Sequence, residues 1–255
     1  MKWLWLSWFL VTSGAHAWTL EAPGLRGWTS ETITIHFNPS SCTVAEATLN
    51  QLIDDAVNLW SGSSKINLKV VRDPVASTST AAEFVAGTAT DTPLIVCDSD
   101  FGNTLGVDVD HIPAATQLGT HNPINYGAVV LNATSGAAAI DRLSETELAV
   151  VIAHEMGHLL GLGHSGSSKA LMYYSVGSSS LPVLTQDDED GLSYLYPSAE
   201  YSAAPLGCAA VHEEKTSVTK VAGFLFAILM GVAFCSLVRL ALRPRRGRDE
   251  SVVQT

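Results

Sequence analysis

The run from His154 to His164, HEMGHLLGLGH, constrains this chain more than any other stretch. His154 and His158 are four residues apart, so on a helix both imidazoles lie on one face, within reach of a single ion. The flanking sequence predicts that helix. Ser144 and Glu147 form a capping box, and AVVIAHEMGHLL then continues to Gly161. A glycine there permits the left-handed turn that redirects the chain, so His164 can return as a third ligand. Three neutral imidazoles leave one position of a zinc ion open for water, as a catalytic site requires and a structural site avoids. Glu155 follows the first ligand and can reach such a water without itself binding the metal.

Other elements follow from periodicity. Glu31 to Phe37 (ETITIHF) alternates and reads as a half-buried strand. From Thr43 the spacing becomes helical, with an apolar stripe through Leu49, Leu52, Ile53, Ala56, Val57 and Trp60 that stops at Gly62. Ile66 to Val71, Leu94 to Cys97 and Ala128 to Leu131 read as further strands, and Ala76 to Ala82 as a small-residue loop. A last helix runs from Thr185 to Pro197, with Asp187 and Asp188 at its positive end. Strand, helix, strands and two more helices make an α+β domain of about 180 residues.

The extended motif HExxHxxGxxH in HEMGHLLGLGH resembles that of the metzincin metallopeptidases. Met172, eight residues after His164, is placed like their Met-turn, an apolar floor beneath the zinc. Ser165, and LTQDDEDGLSYLYP over Leu184 to Pro197, are similar to the matrixin branch. The resemblance implies a mixed, twisted sheet with two long helices and a C-terminal helix. It implies one catalytic zinc held by His154, His158 and His164, with Glu155 as general base for hydrolysis of peptide bonds in a protein or peptide substrate. It also implies a partner for the first Asp of the QDD run: Trp18, were its ammonium freed, would pair with Asp187. No cysteine lies between Ala17 and Glu31, so latency by a cysteine switch is not expected. Two residues after the methionine, Tyr174 stands where matrixins typically place a proline. Astacins and serralysins have a tyrosine at that spacing that can bind zinc and stabilise an oxyanion. Tyr174 is therefore either a catalytic phenol or an aromatic pocket wall.

The ends read separately. Residues 1–17 have the charged head, short apolar run and Ala15-His16-Ala17 site of a secretory signal peptide. The peptidase domain is expected over 18–197 and a linker over 198–220. Residues 221–242 begin with 18 residues free of charge and read as a transmembrane helix. The arginines of the 243–255 tail would hold that end in the cytoplasm and the catalytic domain outside. Between Trp18 and Pro197, 6 Lys and Arg face 20 Asp and Glu, a balance of −14 with no basic patch for nucleic acid. Cys42 and Cys97 both fall in the exported body, where a disulfide between them can persist, while Cys208 and Cys235 have no evident partner. The segment Asp98 to His121 reads as a solvated acidic loop. Were Asp108, Asp110, His111 and His121 to hold a structural ion, their oxygen-rich set would favour calcium. Asn132-Ala133-Thr134 is a glycosylation sequon. Two functions remain open: an exported, membrane-anchored zinc endopeptidase, and a catalytically inactive zinc-binding ectodomain for recognition or adhesion. Glu155, which an inactive relative could readily lose, favours the first.

Overall fold

Two strands made almost wholly of apolar residues set the architecture. Leu94–Asp98 and Gly127–Asn132 are parallel neighbours, with Leu94 opposite Ala128 and Val96 opposite Val130. Such strands need cover on both faces, and the alternation of side chains supplies two separate apolar surfaces. Ile95, Cys97, Val129 and Leu131 face the larger core. Leu94, Val96, Ala128 and Val130 face a smaller one built around Phe84 and Phe101.

The structure is a computed structural model, and it describes residues 17–63, 66–119, 122–175 and 180–198. In chain order the strands are β1 (Thr19–Leu20), β2 (Thr32–Asn38), β3 (Lys69–Arg72), β4 (Leu94–Asp98), β5 (Ala114–Leu118), β6 (Gly127–Asn132) and β7 (Leu162–Gly163). The helices are α1 (Glu46–Ser61), α2 (Ala81–Val85), α3 (Phe101–Leu105), α4 (Glu145–Leu159) and α5 (Gln186–Leu195). The main sheet has the order β3-β2-β4-β6-β5. Its pairs are parallel except β5, which runs antiparallel to β6 and forms an edge. The sheet is therefore mixed, as expected. A second, two-stranded sheet joins β1 to β7.

The long helices α1 and α4 cover the larger core, and fully buried Trp60 ties them by donating its indole N–H to the carbonyl of Ala153 at 2.8 Å. Their approach depends on Gly157. A Cβ there would lie 2.7 Å from Trp60 and 2.3 Å from the sulfur of Met172. The last carbonyls of α4, orphaned by the helix end, find side-chain donors: the Trp28 indole bonds Leu159 at 2.8 Å and the Tyr196 hydroxyl bonds Leu160 at 2.7 Å. Cys42 and Cys97 are joined in a disulfide, as expected, tethering the approach to α1 to β4.

Several expectations need correction. The strand foreseen over Ile66 to Val71 begins only at Lys69, because Ile66 bridges Pro197 instead of extending the pairing with β2. The expected loop Ala76 to Ala82 runs into α2, nucleated by a capping box in which Thr80 and Glu83 exchange hydrogen bonds. The acidic stretch Asp98 to His121 is not a simple loop; it contains α3, packed by Phe101, and the edge strand β5. The Asn132 sequon lies in β6 with its side chain buried, donating to the carbonyls of Val109 and Ile112, so folding removes it from a glycosylating enzyme. Among the described residues no helix is long and apolar enough to cross a membrane. The signal segment up to residue 16, the linker beyond Ser198, the apolar run 221–242 and the basic tail lie outside the described residues.

Candidate active site

Helix α4 presents His154 and His158 one turn apart, both buried, beneath the edge strand β5. Each anchors its ring through Nδ1: His154 to the carbonyl of Leu171 at 2.7 Å and His158 to that of Leu162 at 2.8 Å. A carbonyl can only accept, so each neutral ring carries its proton on Nδ1 and leaves a lone pair on Nε2. Those two Nε2 atoms face each other at 3.1 Å. With both protons spent elsewhere they cannot hydrogen-bond to one another, and a cation between them resolves the repulsion. Burial pushes the pKa of His154 down to about 4, which keeps it a neutral donor.

After α4 the chain reverses at Gly161, whose φ of +102° an L side chain rarely adopts. Strand β7 follows, paired to β1, and brings His164 back to the pair. Its ring centre lies 5.4 Å from that of His154 and 4.8 Å from that of His158. One nitrogen from each of the three histidines falls within 4.8 Å of the others, a group able to hold a metal ion. Three neutral imidazoles suit zinc and leave a coordination position for water.

Glu155 sits beside this group. Its carboxylate Oε2 accepts the hydroxyl of Thr116, on β5, at 2.7 Å. Burial raises its pKa, while the charge of His158 and the Thr116 hydrogen bond pull the other way without cancelling the rise. The cleft in front, about 860 Å³, is bordered by Pro113, by Ala114 to Thr116 of the edge strand and by all three histidines.

The segments behind the histidines are held by the two carboxylates that open α5. Asp188, 1 % exposed, accepts the amides of Leu171 and Met172, each at 3.0 Å, and so fixes the turn whose carbonyl anchors His154. Met172 is buried and packs against Gly157 of α4. Asp187 accepts the hydroxyl of Ser165 at 2.6 Å and the amides of Ala17 and Trp18 at 2.9 and 3.2 Å. Trp18 thus reaches Asp187 through its amide nitrogen, whereas the ammonium pairing that the resemblance implies requires a chain beginning at Trp18.

Tyr174 stands at the cleft margin, 67 % exposed, its ring against that of Tyr173 at 4.3 Å between centres. The acidic segment does not gather a second ion group among the described residues. Asp108 pairs with His111 at 2.8 Å, and Asp110 accepts the amide of Ala137 at 3.0 Å; His121 lies outside the described residues.

Three residues escaped the sequence reading. Thr116 lies in a strand that carries no apolar alternation. Asp188 was read as a helix-end charge only; its burial could not be seen locally. Glu21, on the chain leaving β1, brings Oε2 to 2.9 Å from Nδ1 of His158 and lines the cleft. Burial works to raise the pKa of Glu21, but the neighbouring histidines, His158 first, leave it lowered. Burial likewise pulls His158 down, yet Glu21 and Glu155 together leave it raised. The two shifts agree on an attraction between carboxylate and ring.

Comparison with known proteins gives the same picture. The matrixin model of peptidase family M10 matches residues 27–197. Human neutrophil collagenase is 27 % identical over 190 residues, which is 72 % of this chain and 36 % of that protein. Interstitial collagenase of Bos taurus is 28 % identical over 192 residues, again 72 % and 36 %. Metalloendoproteinase 1 of Glycine max reaches 50 % identity over a shorter stretch of 54 residues, 21 % of this chain and 18 % of the relative. The chain thus spans about a third of the length of the collagenases it matches. With its HExxHxxGxxH histidines drawn together and the family match running over residues 27–197, the chain belongs to the matrixins, a family of zinc metalloendopeptidases.

Proposed function

We propose that this chain is a zinc-dependent endopeptidase in which His154, His158 and His164 hold the metal and Glu155 is the general base. The observation that carries this is the pair of Nε2 atoms 3.1 Å apart, each on a ring whose proton is engaged at Nδ1, next to the carboxylate of Glu155. When bound, zinc supplies a Lewis acid that polarises the scissile carbonyl and makes water more acidic. Glu155 takes a proton from the attacking water and returns it to the departing amine. Its raised pKa makes it a stronger base for taking the water's proton. Thr116 holds the carboxylate from β5.

The substrate is an extended polypeptide. One side of β5 pairs with β6 and the other borders the cleft, so a substrate segment can add to the sheet there by main-chain hydrogen bonds. We assign residues 1–17 to a signal peptide, 18–197 to the peptidase domain, 198–220 to a linker, 221–242 to a membrane anchor and 243–255 to a cytoplasmic tail. On this assignment the peptidase acts on proteins outside the cytoplasm. Support comes from the uncharged 18-residue run, the arginines after it and the disulfide within the domain.

The test is cleavage of an unfolded protein substrate by the purified chain, with and without a zinc chelator, beside Glu155→Ala. Expected are internal cuts that the chelator abolishes and that zinc restores, with Glu155→Ala reduced by about 10²–10⁴-fold. A wild-type chain that binds zinc and cuts nothing would instead support a recognition ectodomain.

A further inference from the structure

We propose that Glu21 is a positioning residue for His158, reaching the ligand from the N-terminal strand and placing a negative charge behind its imidazole. The inference rests on the reading of His158 as a zinc ligand.

The geometry is specific. Glu21 follows β1, whose Thr19 and Leu20 pair with Gly163 and Leu162. The Glu21 amide donates to the carbonyl of Gly161 at 3.0 Å, and the Thr19 hydroxyl donates to the carbonyl of His164 at 2.8 Å. The strand is thereby fastened to the turn between the second and third histidines. From that anchorage Oε2 of Glu21 comes to 2.9 Å from Nδ1 of His158. Nδ1 is the ring edge turned away from the converging Nε2 atoms. Glu21 therefore approaches the ligand rather than the metal position, and it stands outside the three-histidine group. It can act without filling the coordination position that water needs.

A carboxylate behind a ligating imidazole fixes its tautomer and makes the ring a stronger donor, and losing such a partner weakens metal binding by about 10–100-fold. Two features put Glu21 at the lower end. Leu162 also accepts at Nδ1, so the tautomer survives without Glu21. The side chain is 39 % exposed, so water screens part of its charge. The expected contribution is about tenfold.

The experiment measures zinc affinity of the full chain by competition with a chromophoric chelator, for wild type, Glu21→Gln and Glu21→Asp. Denaturant stability of each metal-free protein is recorded alongside. Expected is one zinc per wild-type chain, about tenfold weaker binding by Glu21→Gln, and metal-free stability equal to wild type. Glu21→Asp keeps the charge at a longer distance and should fall between the two. Equal affinities for wild type and Glu21→Gln would overturn the inference while leaving the peptidase reading intact. So would a loss of affinity matched by a loss of metal-free stability, which marks a structural role. A wild-type chain that binds no zinc would overturn the peptidase reading itself.

Discussion

Asp188 and His154 are linked through a single residue: the Asp188 carboxylate accepts the Leu171 amide at 3.0 Å, and the Leu171 carbonyl accepts Nδ1 of His154 at 2.7 Å. The same carboxylate also takes the Met172 amide and the amide and hydroxyl of Thr185. Asp188→Ala strands at least two buried backbone donors, each worth about 1–3 kcal/mol when left unpaired. Unfolding in urea should show a loss of about 3 kcal/mol or more, with zinc affinity falling because the His154 anchor loosens.

Thr116→Val removes the hydroxyl that bonds Glu155 while keeping the shape of the side chain. Burial already raises the Glu155 pKa, and the Thr116 bond opposes that rise. Without it the pKa climbs further, and Glu155 must be ionised to accept a proton. The acid limb of the kcat/KM profile should therefore move to higher pH, and turnover at neutral pH should fall by about an order of magnitude, the worth of a hydrogen bond to a charged group. A profile with an unmoved acid limb would count against Glu155 as the base.

Tyr174 reads as a pocket wall, since the residue is 67 % exposed and its ring packs on that of Tyr173. Tyr174→Phe should leave kcat within about twofold, whereas losing an oxyanion donor typically costs about 10²–10³-fold. Steady-state kinetics on one peptide decides between them.

Removal of residues 1–17 would leave an ammonium on Trp18, whose nitrogen lies 3.2 Å from Asp187 Oδ1. A charged donor should add about 1 kcal/mol over the neutral amide. Chains that begin at Trp18 should unfold at higher urea than chains with residues left before it, and salt should shrink the difference. Identical midpoints would remove any role for the pairing.

Much of the domain could be read from local pattern. The stripe of α1 and the apolar runs of β4 and β6 announce themselves within a few residues because each buries a continuous face, and the Ser144–Glu147 box of α4 because it satisfies the helix start locally. The histidines were legible for the same reason, since α4 and Gly161 fix their spacing. What could not be read depends on partners distant in sequence. Ala114–Leu118 is a strand because β6 offers it an edge, and Thr19–Leu20 because β7 does. Glu21 looks like any surface carboxylate until β1 lies down beside β7. Local pattern thus locates the three histidines, while long-range pairing supplies the residues packed around them.

The Cys42–Cys97 bond closes a separation of 55 residues, a loop whose restriction in the unfolded chain is worth about 4 kcal/mol. Domains of this kind are stable by only about 5–15 kcal/mol in total. A copy retained among cytosolic reductants would forgo that share and spend more time open to degradation. The crosslink thus doubles as a spatial safeguard, giving the peptidase its full lifetime only where thiols are oxidised.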